Sequence, residues 1–184
     1  MQSIDHEVLH DPSLQVATFA AGCFWCAQEA FEDQPGVKAV IAGYTGGTTE
    51  DPSYEDVLTE TTGHREAVQV YFDPERTSFE HLLIIFWSTI DPTDAGGQLA
   101  DRGESYTTAI FYHNDEQRRI AEQSKKDQQV QYSKPMVTKI LPFKNFYIAE
   151  EYHQGYAKKH PVRYKLYKVG SGRSAMLKER SAKY

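Results

Sequence analysis

Short apolar runs alternate along the chain with polar, helix-forming stretches. Val16 to Ala20 (VATFA) is an apolar run ending at Gly22, and Phe24 to Gln34 is free of Gly and Pro until Pro35-Gly36 stops it; this predicts a strand, a tight turn and a helix. Val37 to Tyr44 and Ala67 to Phe72 (AVQVYF) read as two further strands, the second closed by Asp73-Pro74. Thr77-Ser78-Phe79-Glu80 has capping-box spacing with Thr77 as cap, and predicts a helix through Trp87 to about Thr89. Thr107 to Tyr112 predicts another strand, Asn114 to Gln129 a polar helix, Val137 to Leu141 a last strand, and Ile148 to His160 a last helix stopped by Pro161. The connections between Tyr44 and Ala67 and between Ile90 and Thr107 are long and rich in Gly, Pro, Asp and Thr. Loops that long in a compact domain are usually functional or disordered.

With 184 residues, 40% of them hydrophobic, the chain can bury one full core, and a single domain over 1–184 is expected. The longest apolar run, LLIIFW at 82–87, is far short of the roughly 18 residues of a membrane span. The N-terminal MQSIDHEVLHDPS carries acids and histidines where a secretory signal needs a basic start and an apolar core, so a cytoplasmic location is expected. The net charge of -6 hides an asymmetry: from Ala157 to Tyr184 nine Lys and Arg face one acid, Glu179, making this stretch +8 and the preceding body -14. No nucleic-acid motif accompanies the charge. It reads as a solvated, partly ordered tail lying against an acidic body, with neither nucleic acid nor membrane as a partner.

Chemistry is expected at Gly22-Cys23-Phe24-Trp25-Cys26. Cys23 sits at the strand-to-helix junction, where unpaired N–H groups and the helix dipole favour an anion, so its thiolate should be favoured. Cys26 lies one helical turn on, within reach of a disulfide. Taken alone, this CxxC fits a redox dithiol, half a metal site or two buried small hydrophobes. A metal needs more ligands at fixed spacing, and His64 and His153 do not form such a pair. Glu66, in Gly63-His64-Arg65-Glu66, opens the AVQVYF strand and could be a carboxyl of raised pKa that donates a proton, or a surface acid paired with Arg65 or a lysine. Tyr54 and Tyr106, among twelve tyrosines, are by default core or surface aromatics.

A resemblance changes that default. GCFWC at 22–26, GYTGG at 43–47, PSYEDV at 52–57, GHREAVQVYFDP at 63–74, FWSTIDPT at 86–93, DRGESYTTAIFY at 101–112 and AEEYHQGY at 149–156 resemble, in order and spacing, the A-type peptide-methionine sulfoxide reductase family over about residues 14–170. The resemblance implies an α+β fold, a single two-layer plait-like domain with a mixed sheet packed by helices. It implies Cys23 as attacking cysteine, Glu66 as acid, Tyr54 and Tyr106 as oxygen-binding hydroxyls, Phe24 and Trp25 as an aromatic wall for the sulfoxide methyl group, and Asp101 and His153 as further site residues. It also implies specificity for the S epimer. Many members carry Gln and Arg where this chain has Ser105 and Thr107, which bears on substrate contacts. Many also resolve through C-terminal cysteines, and this tail has none, so Cys26 is left for that role.

A sulfoxide sulfur is electrophilic only when its oxygen is protonated or strongly hydrogen-bonded, so such a site needs a thiolate, a proton donor and oxygen-directed donors together. Attack would leave Cys23 as sulfenic acid, and Cys26 would then form the disulfide that an external dithiol, thioredoxin, reduces. The expected substrates are oxidised proteins and free methionine sulfoxide, with no bound cofactor or metal and a monomeric enzyme. The rival readings are a thioredoxin-like disulfide oxidoreductase, which needs no Glu66, Tyr54 or Tyr106, and a redox-sensing module that binds sulfoxide without turnover.

Overall fold

The computed structural model of the chain describes residues 6–181. After a short helix α1 (His6–Leu9) come β1 (Gln15–Ala20), α2 (Phe24–Glu32), β2 (Val37–Thr45), α3 (Tyr54–Leu58), β3 (Arg65–Phe72) and α4 (Phe79–Thr89). A two-strand hairpin β4 (Gly97–Gln98) and β5 (Asp101–Arg102), a 3-10 turn at Glu104–Tyr106, β6 (Ala109–Tyr112), α5 (Asp115–Gln129), β7 (Lys139–Pro142) and β8 (Tyr147–Ile148) follow. Three helices close the described chain: α6 (Tyr156–Lys159), α7 (Pro161–Gly170) and α8 (Arg173–Ser181). Six strands form one sheet in the order β7-β6-β1-β3-β2-β8, antiparallel except for the parallel β6–β7 pair. Among the described residues no helix is long and apolar enough to cross a membrane.

Register decides which face takes the helices. Phe19 lies opposite Val68, and Ala17 opposite Val70, so these four side chains share one face. That face packs against Phe24, Ala27 and Phe31 of α2 and Leu82, Leu83 and Phe86 of α4. Phe19 stacks on both Phe31 and Phe86 at 5.2 Å. The other face carries Ala20, Ala67, Ala109 and Phe111 beneath Leu141, Phe143 and Phe146, so the helices form one layer and the sheet the other. The mixed, helix-packed sheet expected from the family resemblance is what the chain forms.

Three local expectations need correction. Ser78, not Thr77, caps α4: its Oγ accepts from the His81 N–H at 3.2 Å. Thr77 is held by the preceding turn, its N–H on Asp73 O at 3.1 Å, and its buried hydroxyl has no hydrogen-bond partner among the described residues. Thr107 is not in a strand, because it closes the 3-10 turn with its N–H on Glu104 O; the strand begins at Ala109. Val137 is likewise outside β7, its N–H donating to Pro92 O at 2.7 Å.

The largest correction concerns the C-terminal part. Ile148 to Gly155 is not helical: Ile148 pairs with Gly43 in the sheet, and the Gln154 side chain bonds both Ala42 N–H, at 3.0 Å, and Ala42 O, at 2.8 Å, in place of a further strand. Pro161 does stop a helix, the short α6, by driving His160 before it out of the helical region, and it also opens α7, since a proline at the first helical position has no N–H to lose. The basic stretch expected as a solvated tail is α6, α7 and α8, docked through Lys158 on Glu32 at 2.9 Å, Lys159 on Glu151 at 2.9 Å and Lys168 on Glu29 at 2.5 Å. It does lie against acids of the body, but as ordered helices; Lys183 lies outside the described residues.

Candidate active site

The turn from β1 into α2 sets the site. Gly22 has φ +79°, and a Cβ there would lie 2.8 Å from Gln98 Cβ and 3.1 Å from Arg173 Nη2, so glycine is required. Cys23 follows as the N-cap of α2, its carbonyl accepting from the N–H groups of Cys26 and Ala27 at 3.2 Å. Both cysteines are buried free thiols.

The first free N–H of α2 serves a carboxyl, not the Cys23 sulfur: Phe24 N–H donates to Glu66 Oε2 at 2.9 Å. The N–H expected to favour a Cys23 thiolate is thus already engaged by Glu66. Burial, the hydrogen bond that Cys23 donates to Cys26, and the neighbouring Glu66 push its thiol well above the ordinary value. Cys26 is drawn down to about 7 by that same hydrogen bond, opposed by burial and helped by Arg173, Tyr164 and Lys168. Of the two thiols, Cys26 is the one drawn toward ionisation and Cys23 the one held from it.

Glu66, second residue of β3, is 2% exposed. Burial pushes its carboxyl up to about 8, against the hydrogen bonds from Phe24 N–H and Tyr106, so at neutral pH it holds a proton. The two long connections bring the tyrosines to it. Tyr54 opens α3 behind a capping box made by Ser53 and Asp56, and Tyr106 ends the 3-10 turn. The Tyr106 hydroxyl interacts with both the Tyr54 hydroxyl and the Glu66 carboxyl, and burial leads the rise of Tyr54 to about 12. Both tyrosines are therefore neutral donors.

Ser105 and Thr107 build the turn that carries Tyr106. The Ser105 N–H and hydroxyl donate to the two Glu60 oxygens at 2.9 and 2.7 Å. Thr107 Oγ1 accepts from Arg65 Nε at 2.9 Å and donates to Glu104 O at 2.6 Å. Gly103, at φ +129°, is forced by the same arrangement, since a Cβ would lie 2.3 Å from Glu60 Oε1. A cleft of about 380 Å³ lined by Arg65, Asp94, Glu104, Thr107 and Lys139 opens beside this turn and includes neither cysteine.

His153 is the hub of the aromatic side. Its ring centroid lies 4.5 Å from Tyr54 and 4.9 Å from Phe24, and its Nδ1 accepts from Trp25 Nε1 at 3.1 Å. That bond and burial, which lowers its pKa, leave it a neutral imidazole with its proton on Nε2, and Nε2 has no partner among the described residues. Phe24 is fully packed, whereas Trp25 is half-buried with one face stacked on Tyr156, centroids 3.8 Å apart. Asp101 does not stand open: its Oδ2 accepts from Tyr167 OH at 2.5 Å and lies 3.7 Å from Arg173 Nη2. His64 is structural, bonded at Nδ1 by Gly47 N–H and donating from Nε2 to Thr49 O. Among the described residues no three His, Cys, Asp or Glu converge on a metal position.

Sequence reasoning missed two groups. Glu150 holds Tyr44 OH and Tyr54 N–H, each at 2.8 Å, and so fixes α3 on β2; its place in AEEYHQGY was the available signal. The other group is on the C-terminal helices: Tyr167 interacts with Cys23, Tyr164 with Cys26, and Arg173 is buried beside them. Tyr164, Tyr167 and Lys168 share one helical face by spacing, which the sequence displays.

The comparisons agree with this geometry. The family model described as Peptide methionine sulfoxide reductase matches residues 15–184. The chain is 57% identical over 167 residues to the peptide methionine sulfoxide reductase MsrA of Bacillus licheniformis, covering 90% of this chain and 92% of the relative. Its fold is similar to that of Mxr1 from Saccharomyces cerevisiae in reduced form, with TM-score 0.78 and 31% identity over 83% of this chain and 89% of that one. It is also similar to Mxr1 solved in complex with Trx2, with TM-score 0.57 and 27% identity over 80% and 88%. The match begins at the first strand of the sheet and takes in the dithiol, both long connections and the C-terminal helices, and on that ground the chain belongs to the peptide methionine sulfoxide reductase family.

Proposed function

We propose that this enzyme reduces the S epimer of methionine sulfoxide, free and in proteins, with Cys23 as nucleophile, Glu66 as proton donor and Cys26 as resolving thiol. The observation that carries this reading is the buried Glu66 carboxyl held beside Cys23 by the Phe24 N–H, its pKa pushed up by burial, with the hydroxyls of Tyr54 and Tyr106 next to it. A thioredoxin-like disulfide exchanger has no use for that cluster.

In the first step the Cys23 proton passes to the Cys26 thiolate as the Cys23 sulfur attacks the sulfoxide sulfur. Glu66 delivers its proton to the oxygen, held by Tyr54 and Tyr106. Methionine leaves as the thioether, the oxygen ends on Cys23 as sulfenic acid, and Glu66 is left a carboxylate. In the second step Cys26 ionises and attacks the Cys23 sulfur; the S–S bond forms, the S–O bond breaks, and the departing hydroxide takes the proton as water. Glu66 regains its proton from solvent. An external dithiol then exchanges with the disulfide, and yeast Mxr1 solved in complex with Trx2 supports a thioredoxin in that role. Phe24, Trp25 and His153 form the wall for the methyl group, and no bound cofactor or metal takes part. We assign the whole of 1–184 to one catalytic domain, working as a monomer in the cytoplasm.

Turnover of S and R methionine sulfoxide peptides with dithiothreitol tests the reading. The S epimer should be consumed and the R epimer left; equal turnover of both, or of neither, would overturn it.

A further inference from the structure

The C-terminal helices place four polar side chains over the dithiol, and three of them are already committed. A tyrosine hydroxyl has one proton: that of Tyr164 goes to Glu29 Oε2 at 2.8 Å and that of Tyr167 to Asp101 Oδ2 at 2.5 Å. Lys168 Nζ is on the same Glu29 oxygen at 2.5 Å. Arg173 is the exception. It is 1% exposed, its Nε and Nη2 have no hydrogen-bond acceptor among the described residues, and its one bond is a long 3.4 Å contact from Nη1 to Thr89 O. Asp101, at 3.7 Å from Nη2, forms an ion pair that Tyr167 already shares, but is too distant to accept a hydrogen bond, so both donors stay unmet. Nη2 lies 3.1 Å from where a Gly22 Cβ would be, directly against the backbone that leads into Cys23.

A guanidinium always carries its charge, and burying one with two unpaired donors is costly unless an anion meets it. We propose that Arg173 is the cationic partner of the Cys26 thiolate, a positioning residue that keeps Cys26 ionised both in the resting dithiol and when it attacks the Cys23 sulfenic acid. The second half of this inference rests on the resolving role proposed for Cys26; the first half does not. The other titratable groups facing Cys26 are Cys23, Glu66, Tyr164, Tyr167 and Lys168. Of these Lys168 alone is cationic, and it is committed to Glu29. Against burial, the charge of Cys26, with that of Asp101, in turn lifts Arg173 above its ordinary pKa.

Thiolate absorbance of the full chain with Cys23→Ser, in which Cys26 is the one remaining thiol, gives the test. Adding Arg173→Met or Arg173→Gln should raise the midpoint by roughly one to three pH units, while Arg173→Lys should stay within about half a unit. In the chain with both cysteines, disulfide formation after one turnover should slow roughly tenfold or more at pH 7 in Arg173→Gln and recover as the pH rises past 9. A merely structural anchor would not be relieved by alkali. An unshifted Cys26 midpoint in folded Arg173→Gln overturns the inference. A shifted midpoint with an unchanged disulfide rate overturns the second half of the inference, because Arg173 then holds the resting Cys26 thiolate without setting the rate at which it attacks. Should the neutral variants fail to fold, the Arg173 Nε resonance of the Cys23→Ser protein decides: it should move with the Cys26 midpoint, and a flat trace overturns the pairing.

Discussion

The two sulfurs sit one helical turn apart, yet the surroundings of Cys23 and Cys26 are built from opposite materials. Around Cys23 stand a neutral carboxyl, neutral hydroxyls and a neutral imidazole, drawn from β3, α3, the 3-10 turn and the segment before α6. Around Cys26 stand Arg173 and Lys168, drawn from α7 and α8. The first surroundings can give a proton and hold an oxygen. The second can hold a negative charge. On the mechanism we propose, two identical side chains receive different tasks from what covers them, which is how paired titratable groups are divided between roles.

The largest expected effect separates the two cysteines. Cys23→Ser should make no methionine with any reductant. Cys26→Ser should make about one methionine per enzyme and stop, with one added oxygen on Cys23 visible by mass spectrometry. If Cys26→Ser makes no methionine and gains no oxygen, the assignment of tasks is reversed or wrong. Next in size, Glu66→Gln should slow the sulfoxide step by roughly two to four decades, the usual span of general acid catalysis. Wild-type turnover should also fall as the pH passes about 8 and Glu66 loses its proton. The same group sets a stability window. Its folded pKa lies above the unfolded value, so the folded state binds the extra proton between about 4.5 and 8 and loses stability as pH rises through that range, by up to ~1.4 kcal/mol per unit. The melting temperature of Glu66→Gln relative to wild type should climb from pH 5 to 8 and then level off; a constant difference would mean that Glu66 is ionised throughout.

The Cys23 side was legible in the sequence and the Cys26 side was not, for a physical reason. Gly22, the CxxC, Glu66, Tyr54 and Tyr106 lie at element junctions whose turn and cap residues announce them, and family motifs cover each one. The segment from 161 onward misleads because its hydropathy is inverted. Val162, Leu166 and Val169 recur at helical spacing but are 73%, 69% and 61% exposed, while Tyr164, Tyr167 and Lys168 face inward. Periodicity reads the aliphatic stripe as the buried face. A buried arginine inside a run of nine cations is equally invisible until the fold places it, buried, against the turn that leads into the dithiol. The helix predicted over 148–160 failed for a related reason: Gln28 and Gln154 satisfy strand backbone with their side chains, which no pattern of hydrophobic positions records.

A smaller effect sharpens the Cys23 side. Tyr54→Phe and Tyr106→Phe each remove one donor to the sulfoxide oxygen, so each should lower kcat/KM roughly three- to tenfold, the size of one hydrogen bond, and the pair should cost more than either. Disulfide formation after one turnover should be unchanged in all three. A double variant with full activity would return both tyrosines to packing.

The smallest expected effect lies on the Cys26 side and tests whether the two surroundings are independent. Glu29 gathers Tyr164 OH and Lys168 Nζ on one oxygen, and its side chain is 39% exposed, so solvent screens the ion pair and Glu29→Gln should cost at most about 1 kcal/mol of stability. The substitution weakens the hold on Lys168 and frees Tyr164 to turn its proton toward Cys26. Both changes favour the Cys26 thiolate, so its midpoint should move slightly down and disulfide formation should hold or quicken, by less than about threefold on the scale of one modest hydrogen bond. The sulfoxide step, read as methionine released in a single turnover, should not change, because no group that handles the oxygen touches Glu29. A slowed sulfoxide step in a folded Glu29→Gln protein would show that the Glu29 cluster acts on both sulfurs together and that the division between them does not hold.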